Sequence, residues 1–297
     1  MYLSSRLITF LSLFVVGYLL IPSAQALGQQ GHRIVCQLVF DNLSDTQQRT
    51  LNDLVTLIPR QQQAQINQRL HRKNNHPLTF SDSCIWADVI RDLSSYQRYS
   101  NWHFINVDRQ KSRLTQIECL SGCITRAMLI HHKLWTNSKN SSDKLSALLF
   151  ISHWFADIHQ PLHVSFASDR GGNDIRVTDA QGRCQNLHQV WDSCLVRDLG
   201  LNQRQWQQAF IQLQRENAMA WHPEMQQNIL MFANESLQIT RTPSLGYCKL
   251  QPNQACIEHD QIVVYDRHYK AQHLPIIKQR ILLSALRLKA YLNATLG

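Results

Sequence analysis

HWFADIHQPLHVSFASDRGGNDIRVTDAQGRCQNLHQVWD, residues 153–192, carries two His-x3-Asp pairs, His153/Asp157 and His188/Asp192, with His163 between them. On a helix, residues four apart lie on one face about one turn apart, so each pair presents imidazole and carboxylate together. The run 144–159 reads as a helix, and Gln160-Pro161 should end it and release His163 into a loop. The second pair opens another apolar-periodic run, 188–199. One such pair alone reads as a surface hydrogen bond or a helical ion pair. Two pairs and a third histidine, set among Phe150, Ile151, Trp154, Phe155, Ile158 and Leu162, read differently. Bare His and Asp are costly to bury there unless paired or coordinated. Imidazole and carboxylate without thiolate suit a catalytic zinc site better than a structural one.

The chain has 297 residues, enough for a full core, and we expect a single domain over 27–297. Only 17% of residues are charged, yet the formal net charge is +9, which favours anionic partners. Arg6 precedes the apolar run Leu7–Ile21, then Pro22 and Ala24-Gln25-Ala26. A short positive region, about 15 apolar residues and an A-x-A site read as a signal peptide over 1–26, the run being short for a membrane span. The mature chain should begin at Leu27 and work in a periplasm or outside the cell. Eight cysteines then favour disulfides. Cys119/Cys123 and Cys248/Cys256 are close enough to pair locally. Cys36–Cys84 and Cys184–Cys194 are the pairing we favour for the rest, among 105 full pairings that eight cysteines allow.

Along the chain, Gly31-His32 opens an amphipathic run, and Ser44-x-x-Gln47 looks like a capping box before a second helix. Residues 60–77 read as exposed helix and loop. Ser81 or Asp82 should cap a short helix over 84–92, with Asp88 and Arg91 neighbours on one face. Residues 102–107 read as extended, 124–135 as helix, 169–187 as a Gly-containing loop with a small hairpin near 175–177. Trp206, Phe210 and Leu213 mark a further helix, 237–260 looks irregular, and a last helix should start at Leu274. The fold class expected is all-α, one mainly helical domain with the metal site between helices.

With these motifs in hand, the sequence resembles the zinc-dependent single-strand-specific nucleases, also 3′-nucleotidases, of the phospholipase C/nuclease superfamily. The resemblance rests on Gly31-His32, Trp86-Ala87-Asp88 with Arg91, Trp102-His103-Phe104, His153-x3-Asp157 through His163, Asp169-Arg-Gly-Gly-Asn-Asp174, and Asn186-Leu-His188-x-Val-Trp-Asp192. It implies three zinc ions in a mainly helical fold. Asp88, His103, His153 and Asp157 would hold one. His32, a bridging Asp157 and the main-chain amino and carbonyl groups of Leu27 would hold a second. His163, His188 and Asp192 would hold the third. The family's mature chain normally starts with Trp where this one has Leu27, so the ring packing at that position is lost.

The resemblance also implies the chemistry: cleavage of single-stranded DNA and RNA at the P–O3′ bond to leave 5′-phosphate ends, and release of phosphate from 3′-nucleotides. Asp88 and Asp157 would act through the metals, with Arg91 neutralising phosphoryl oxygens. Phe104 would stack a base and Asn106 would contact its edge, though Phe104 read from the residues alone is core packing. His159 reads as a hydrogen-bonding neighbour of the site. The protein is expected to act as a monomer without stable membrane association. Two other readings are a zinc phospholipase C, whose last pair is typically His-x3-Glu where this chain has His188-x3-Asp192, and a non-catalytic zinc- or nucleic-acid-binding protein.

Overall fold

The computed structural model describes residues 27–297 except 92, 118, 120, 121, 217–221, 258–261 and 297. The signal-peptide reading, 1–26, lies outside the described residues. The centre of the fold is a helix, α7 (Ser141–His159), that is apolar nearly all round, with every residue from Ala147 to His159 buried. Such a helix has no solvent face and must be surrounded.

The chain supplies the surround in order. Helix α1 (Gly28–Phe40) leads to α2 (Asp45–Thr56), whose Ser44 hydroxyl accepts from the Gln47 N–H while the Gln47 side chain returns to the Ser44 backbone, the capping box expected. Then come α3 (Arg60–Arg69), α4 (Phe80–Ser83), α5 (Trp86–Ile90), a 3-10 turn Gln97–His103, strand β1 (Ile105–Val107), α6 (Ile124–Asn137) and α7 (Ser141–His159). Asn140 caps α7 by accepting from the Ser142 N–H at 2.8 Å. After it run β2 (Val164–Phe166) and β3 (Val177–Thr178), then α8 (Leu187–Gln189) continuing through a π turn Val190–Cys194 into α9 (Leu195–Asp198). The chain closes with α10 (Gln203–Glu216), α11 (Met225–Thr240), β4 (Lys249–Leu250), β5 (Cys256–Ile257), β6 (Val263–Val264) and α12 (Arg267–Thr295). Helices α1, α5, α6, α11 and α12 all pack on α7. The expected mainly helical class therefore holds.

Several local expectations need correction. Thr79, not Ser81 or Asp82, caps the helix before the site, and Asp82 serves as the reciprocal third-position acceptor of that capping box. Of the segment read as one helix over 84–92, Trp86–Ile90 is helical, and Cys84-Ile85 separates it from a shorter helix, Phe80–Ser83, that precedes the segment. Residues 102–103 belong to a 3-10 turn, and extended backbone begins at Phe104. Near 175–177 the expected hairpin is reduced to a single antiparallel bridge, Arg176 to Asn186, while Val177–Thr178 pairs in parallel with Val263–Val264. Residues 237–240 are helical, the end of α11. The last helix starts at Arg267 and runs through Pro275, its first turn capped by the Asp266 carboxylate on the Tyr269 N–H at 2.8 Å.

Four disulfides, Cys36–Cys84, Cys119–Cys123, Cys184–Cys194 and Cys248–Cys256, match the favoured pairing. Among the described residues no helix is long and apolar enough to cross a membrane.

Candidate metal centre

Asp157 sits one turn after His153 on the buried helix, and its two oxygens face different ways. Oδ2 lies 3.1 Å from His103 Nδ1 and 3.1 Å from His153 Nε2, while Oδ1 lies 3.2 Å from His32 Nε2. Asp88 completes the first side, its Oδ1 3.6 Å from His103 Nδ1 and 3.7 Å from His153 Nε2. His32 and His153 stack with ring centroids 3.8 Å apart. A third cluster forms next door: His188 Nε2 is 3.1 Å from Asp192 Oδ2, and His163 Nε2 is 3.6 Å from Asp192 Oδ1. Three sets therefore have ligand atoms mutually within 4.8 Å: His32/His153/Asp157, Asp88/His103/His153 and His163/His188/Asp192.

The local fold explains why these side chains converge. Strands β1 and β2 pair in parallel with Ile105 opposite Val164, which sets His103 beside His163 at the strand entrances. The His163 Nδ1–H donates to the His103 carbonyl at 2.6 Å. His153 Nδ1 donates to the Cys84 carbonyl at 2.8 Å and His188 Nδ1 to the Gly171 carbonyl at 2.7 Å. In each ring Nδ1 is thereby engaged by a carbonyl and Nε2 is turned into the cluster, the usual way a metal-binding imidazole is oriented. The Cys36–Cys84 disulfide ties the helix of His32 to the corner whose carbonyl aims His153. Gly171, at φ +68°, brings its backbone against Leu162 and Ser165, where an added Cβ would stand 3.0 Å from each. Asp169 pins this turn: it accepts from the Gly172 N–H at 2.8 Å and the Tyr247 hydroxyl, and pairs with Arg109.

The electrostatics are those of a concentrated, buried charge cluster. Burial drives the His103 pKa down to about 4 in spite of Asp157. Burial also opposes the protonation of His163, but the Asp157 and Asp192 charges prevail and raise it to about 9. Asp192 is depressed to about 2, the charges of His188 and His163 outweighing its desolvation. Both Asp88 oxygens, Asp157 Oδ1, His163 Nε2 and Asp192 Oδ2 are buried without a well-formed hydrogen bond. Orphaned acceptors on this scale are expensive, and divalent cations satisfy them. An all-N/O donor set with a shared carboxylate fits zinc or a similar borderline ion.

A cavity of about 310 Å³ opens beside His103, His163 and His188, and its walls include Arg91, Phe104 and Asn106. Phe104 is half-buried and Asn106 exposed, so the Phe104 ring is not core packing alone. Neither Asp88 oxygen accepts a hydrogen bond from Arg91. Leu27 is buried at the head of α1 with its side chain against Gly31, where an added Cβ would come within 2.6 Å of it. His159 donates from Nδ1 to the Phe155 carbonyl and meets Arg287 through Nε2, outside all three clusters.

Sequence reasoning missed three kinds of residue. The orienting carbonyls of Cys84, His103 and Gly171 have no side-chain signature. Gln160, read only as a helix end, donates to Asp192 at 2.6 Å and links the two His/Asp pairs. The π turn that carries Asp192 was invisible because His-x3-Asp spacing reads as ordinary helix; π turns recur at functional sites.

The chain is similar in sequence to known proteins. Residues 27–297 match the S1/P1 Nuclease family. Endonuclease 2 of Arabidopsis thaliana is 32% identical over 187 residues, 59% of this chain and 58% of that protein. Nuclease S1 of Aspergillus oryzae is 34% identical over 113 residues, 36% of this chain and 39% of that protein. Nuclease P1 of Penicillium citrinum is 32% identical over 120 residues, 38% of this chain and 44% of that protein. The aligned stretch is thus under two thirds of each relative's length, while the family match runs the whole of the described chain. With its match over residues 27–297 and its three convergent His/Asp groups, the chain belongs to the S1/P1 nuclease family.

Proposed function

We propose that this protein is an exported zinc-dependent phosphodiesterase that cleaves single-stranded DNA and RNA endonucleolytically to 5′-phosphate ends and removes phosphate from 3′-nucleotides. The observation that carries the reading is Asp157, a fully buried carboxylate whose two oxygens serve two different ligand groups. Asp88, His103, His153 and Asp157 would hold one zinc. His32 and Asp157, with the Leu27 main chain, would hold a second, and His163, His188 and Asp192 a third. Zinc at such a centre supplies a Lewis acid and lowers the pKa of water toward neutrality.

The chain's own groups do the rest. Arg91, on the cavity wall three residues from Asp88, neutralises charge on the phosphoryl oxygens through its planar fork of donors. Phe104 offers a ring face on which any base can stack once it has left a duplex, which accounts for single-strand preference. Asn106, two residues on along β1 and on the same wall, contacts the base edge. Water replaces O3′ at phosphorus, so the phosphate stays with the 5′ side of the following nucleotide.

The experiment follows single-stranded DNA incubated with zinc-loaded protein, with and without a chelator, and reads the chemistry of the ends. Chelator-sensitive cleavage to 5′-phosphate ends is expected. Protein shown to contain zinc that leaves DNA and RNA intact would remove the reading.

A further inference from the structure

The wall of the cavity holds a second cation. Arg170 lies in the turn 169–174 and lines the same space as Arg91 and Phe104. Its side chain is 70% exposed, and among the described residues its ion pair is with Asp174, itself 51% exposed, at 3.5 Å and four residues on. A solvated pair of this kind contributes little and exchanges readily.

The backbone at Arg170 is left-handed, φ +53°, immediately before Gly171 at +68° and Gly172 at +82°. An L-residue with a long side chain costs roughly 1–2 kcal/mol in that conformation, and glycine would adopt it freely. Two glycines follow, so the turn already uses the residue that suits it. Its geometry is fixed by Asp169, which takes the Gly172 N–H, the Tyr247 hydroxyl and Arg109, and none of these partners involves the Arg170 side chain. The Arg170 carbonyl accepts from the Asn173 amide at 2.7 Å, which further fixes where the Cα–Cβ bond points. A strained position that serves no packing purpose, holding a guanidinium on the rim of a cavity that contains three of the metal-group histidines, is built to present that guanidinium.

Resting on the phosphodiesterase reading, we infer that Arg170 binds a phosphate neighbouring the scissile one, a subsite that only a polynucleotide can fill. Arg91 lies on the C-terminal side of α5, three residues from Asp88, and serves the reacting phosphate. Arg170 is more exposed and serves the strand as it leaves the cavity. A guanidinium fork matches phosphate oxygens two at a time, and displacing Asp174 from it is easy. A 3′-mononucleotide carries one phosphate and does not reach it. The subsite therefore divides the two substrate classes.

The test compares wild-type zinc-loaded protein with Arg170→Gln and Arg170→Gly, the second of which relieves the backbone strain while removing the charge. Three readouts are taken: KM and kcat on a short single-stranded oligonucleotide, the same on a 3′-mononucleotide, and the salt dependence of oligonucleotide binding by fluorescence anisotropy with a phosphorothioate strand. Both variants should raise the oligonucleotide KM roughly tenfold. Both should lower the slope of log affinity against log salt by about 0.7, the value for one phosphate contact on a single strand. Kinetics on the mononucleotide should stay unchanged, and Arg170→Lys should recover the salt slope. Equal losses on both substrates, or no loss on either, would overturn the subsite while leaving the nuclease reading in place. Wild-type protein inactive on both substrates would remove that reading and the subsite with it.

Discussion

Asp157 is the residue on which the most depends, because one fully buried carboxylate faces two ligand groups. Asp157→Asn keeps the shape and removes the charge that His103, His153 and His32 share. It should cost more than about 100-fold in activity, since even outer-sphere changes cost 10–100-fold. Zinc analysis should show at least one ion lost; a variant with full metal content and full turnover would exclude the bridging role. His163 gives a pH prediction at the same scale. Without metal its pKa is raised to about 9, above the ordinary value of 6.5, so its protonated form stabilises the metal-free fold. That contribution is complete below 6.5 and is lost as the pH rises through about 9. Zinc needs the neutral ring, so binding at this group releases a proton at pH 7 and tightens with pH up to about 9. Calorimetry in buffers of different ionisation enthalpy should show that release, and binding with no proton exchange would contradict it. Both His/Asp pairs were legible from spacing alone. His103 and Asp88 were not, because each lies in its own short segment far along the chain and only the β1–β2 pairing and the Cys84 corner bring them in.

At the scale of elements, the helix that carries His153 and Asp157 must end correctly for His163 to arrive at the cluster. The last carbonyls of a helix have no partners within it. Around α7 they are met from α11 and α12: Ser236 Oγ donates to the Ile158 carbonyl, Arg280 Nε to the His159 carbonyl at 3.0 Å, and Thr240 Oγ1 to the Pro161 carbonyl at 2.6 Å. Thr240→Val preserves the volume and deletes the donor. It should destabilise by about 1–2 kcal/mol, and by moving His163 should weaken one zinc more than the others. Chelator competition reads this, and Thr240→Ser should restore it; uniform affinity for all ions in Thr240→Val would show that the contact only supports the fold. Legibility at this scale was uneven for the same reason. Capping boxes and the apolar face of α7 are local signals. Helix α11 hides its periodicity because Asn228, Ser236 and Thr240 are polar yet buried, spent on partners elsewhere in the chain. The sequence predicts the last helix only from Leu274, and the packing of α12 on α1 and α7 carries it from Arg267 through Pro275.

For the molecule as a whole, metals and disulfides act on different states. The Cys36–Cys84 bridge closes a separation of 48 residues and restricts the unfolded chain, a contribution of roughly 4 kcal/mol in the chain-entropy account. Metal bound at these groups would act on the folded state, by coordinating buried oxygens and nitrogens that otherwise lack a hydrogen bond. A site filled at 100 times its dissociation constant adds about 2.7 kcal/mol, so removing even one ion should lower the melting temperature by roughly 5–10 °C in a chain of this size. Two calorimetric scans separate the effects. Chelation with the disulfides intact should shift the transition down and leave it cooperative, since the core around α7 does not depend on the ions. Replacing both Cys36 and Cys84 by alanine with zinc present should lower the transition as well, and should also loosen His153, whose Nδ1 proton is held by the Cys84 carbonyl. The two perturbations therefore share a contact, and their effects should not add: chelation should cost the double variant less than it costs the parent, because the variant holds its zinc more weakly from the start. Strict additivity would mean that the disulfide braces the chain without bracing the metal group, and that the orientation of His153 survives on the packing of α1, α5 and α7 alone.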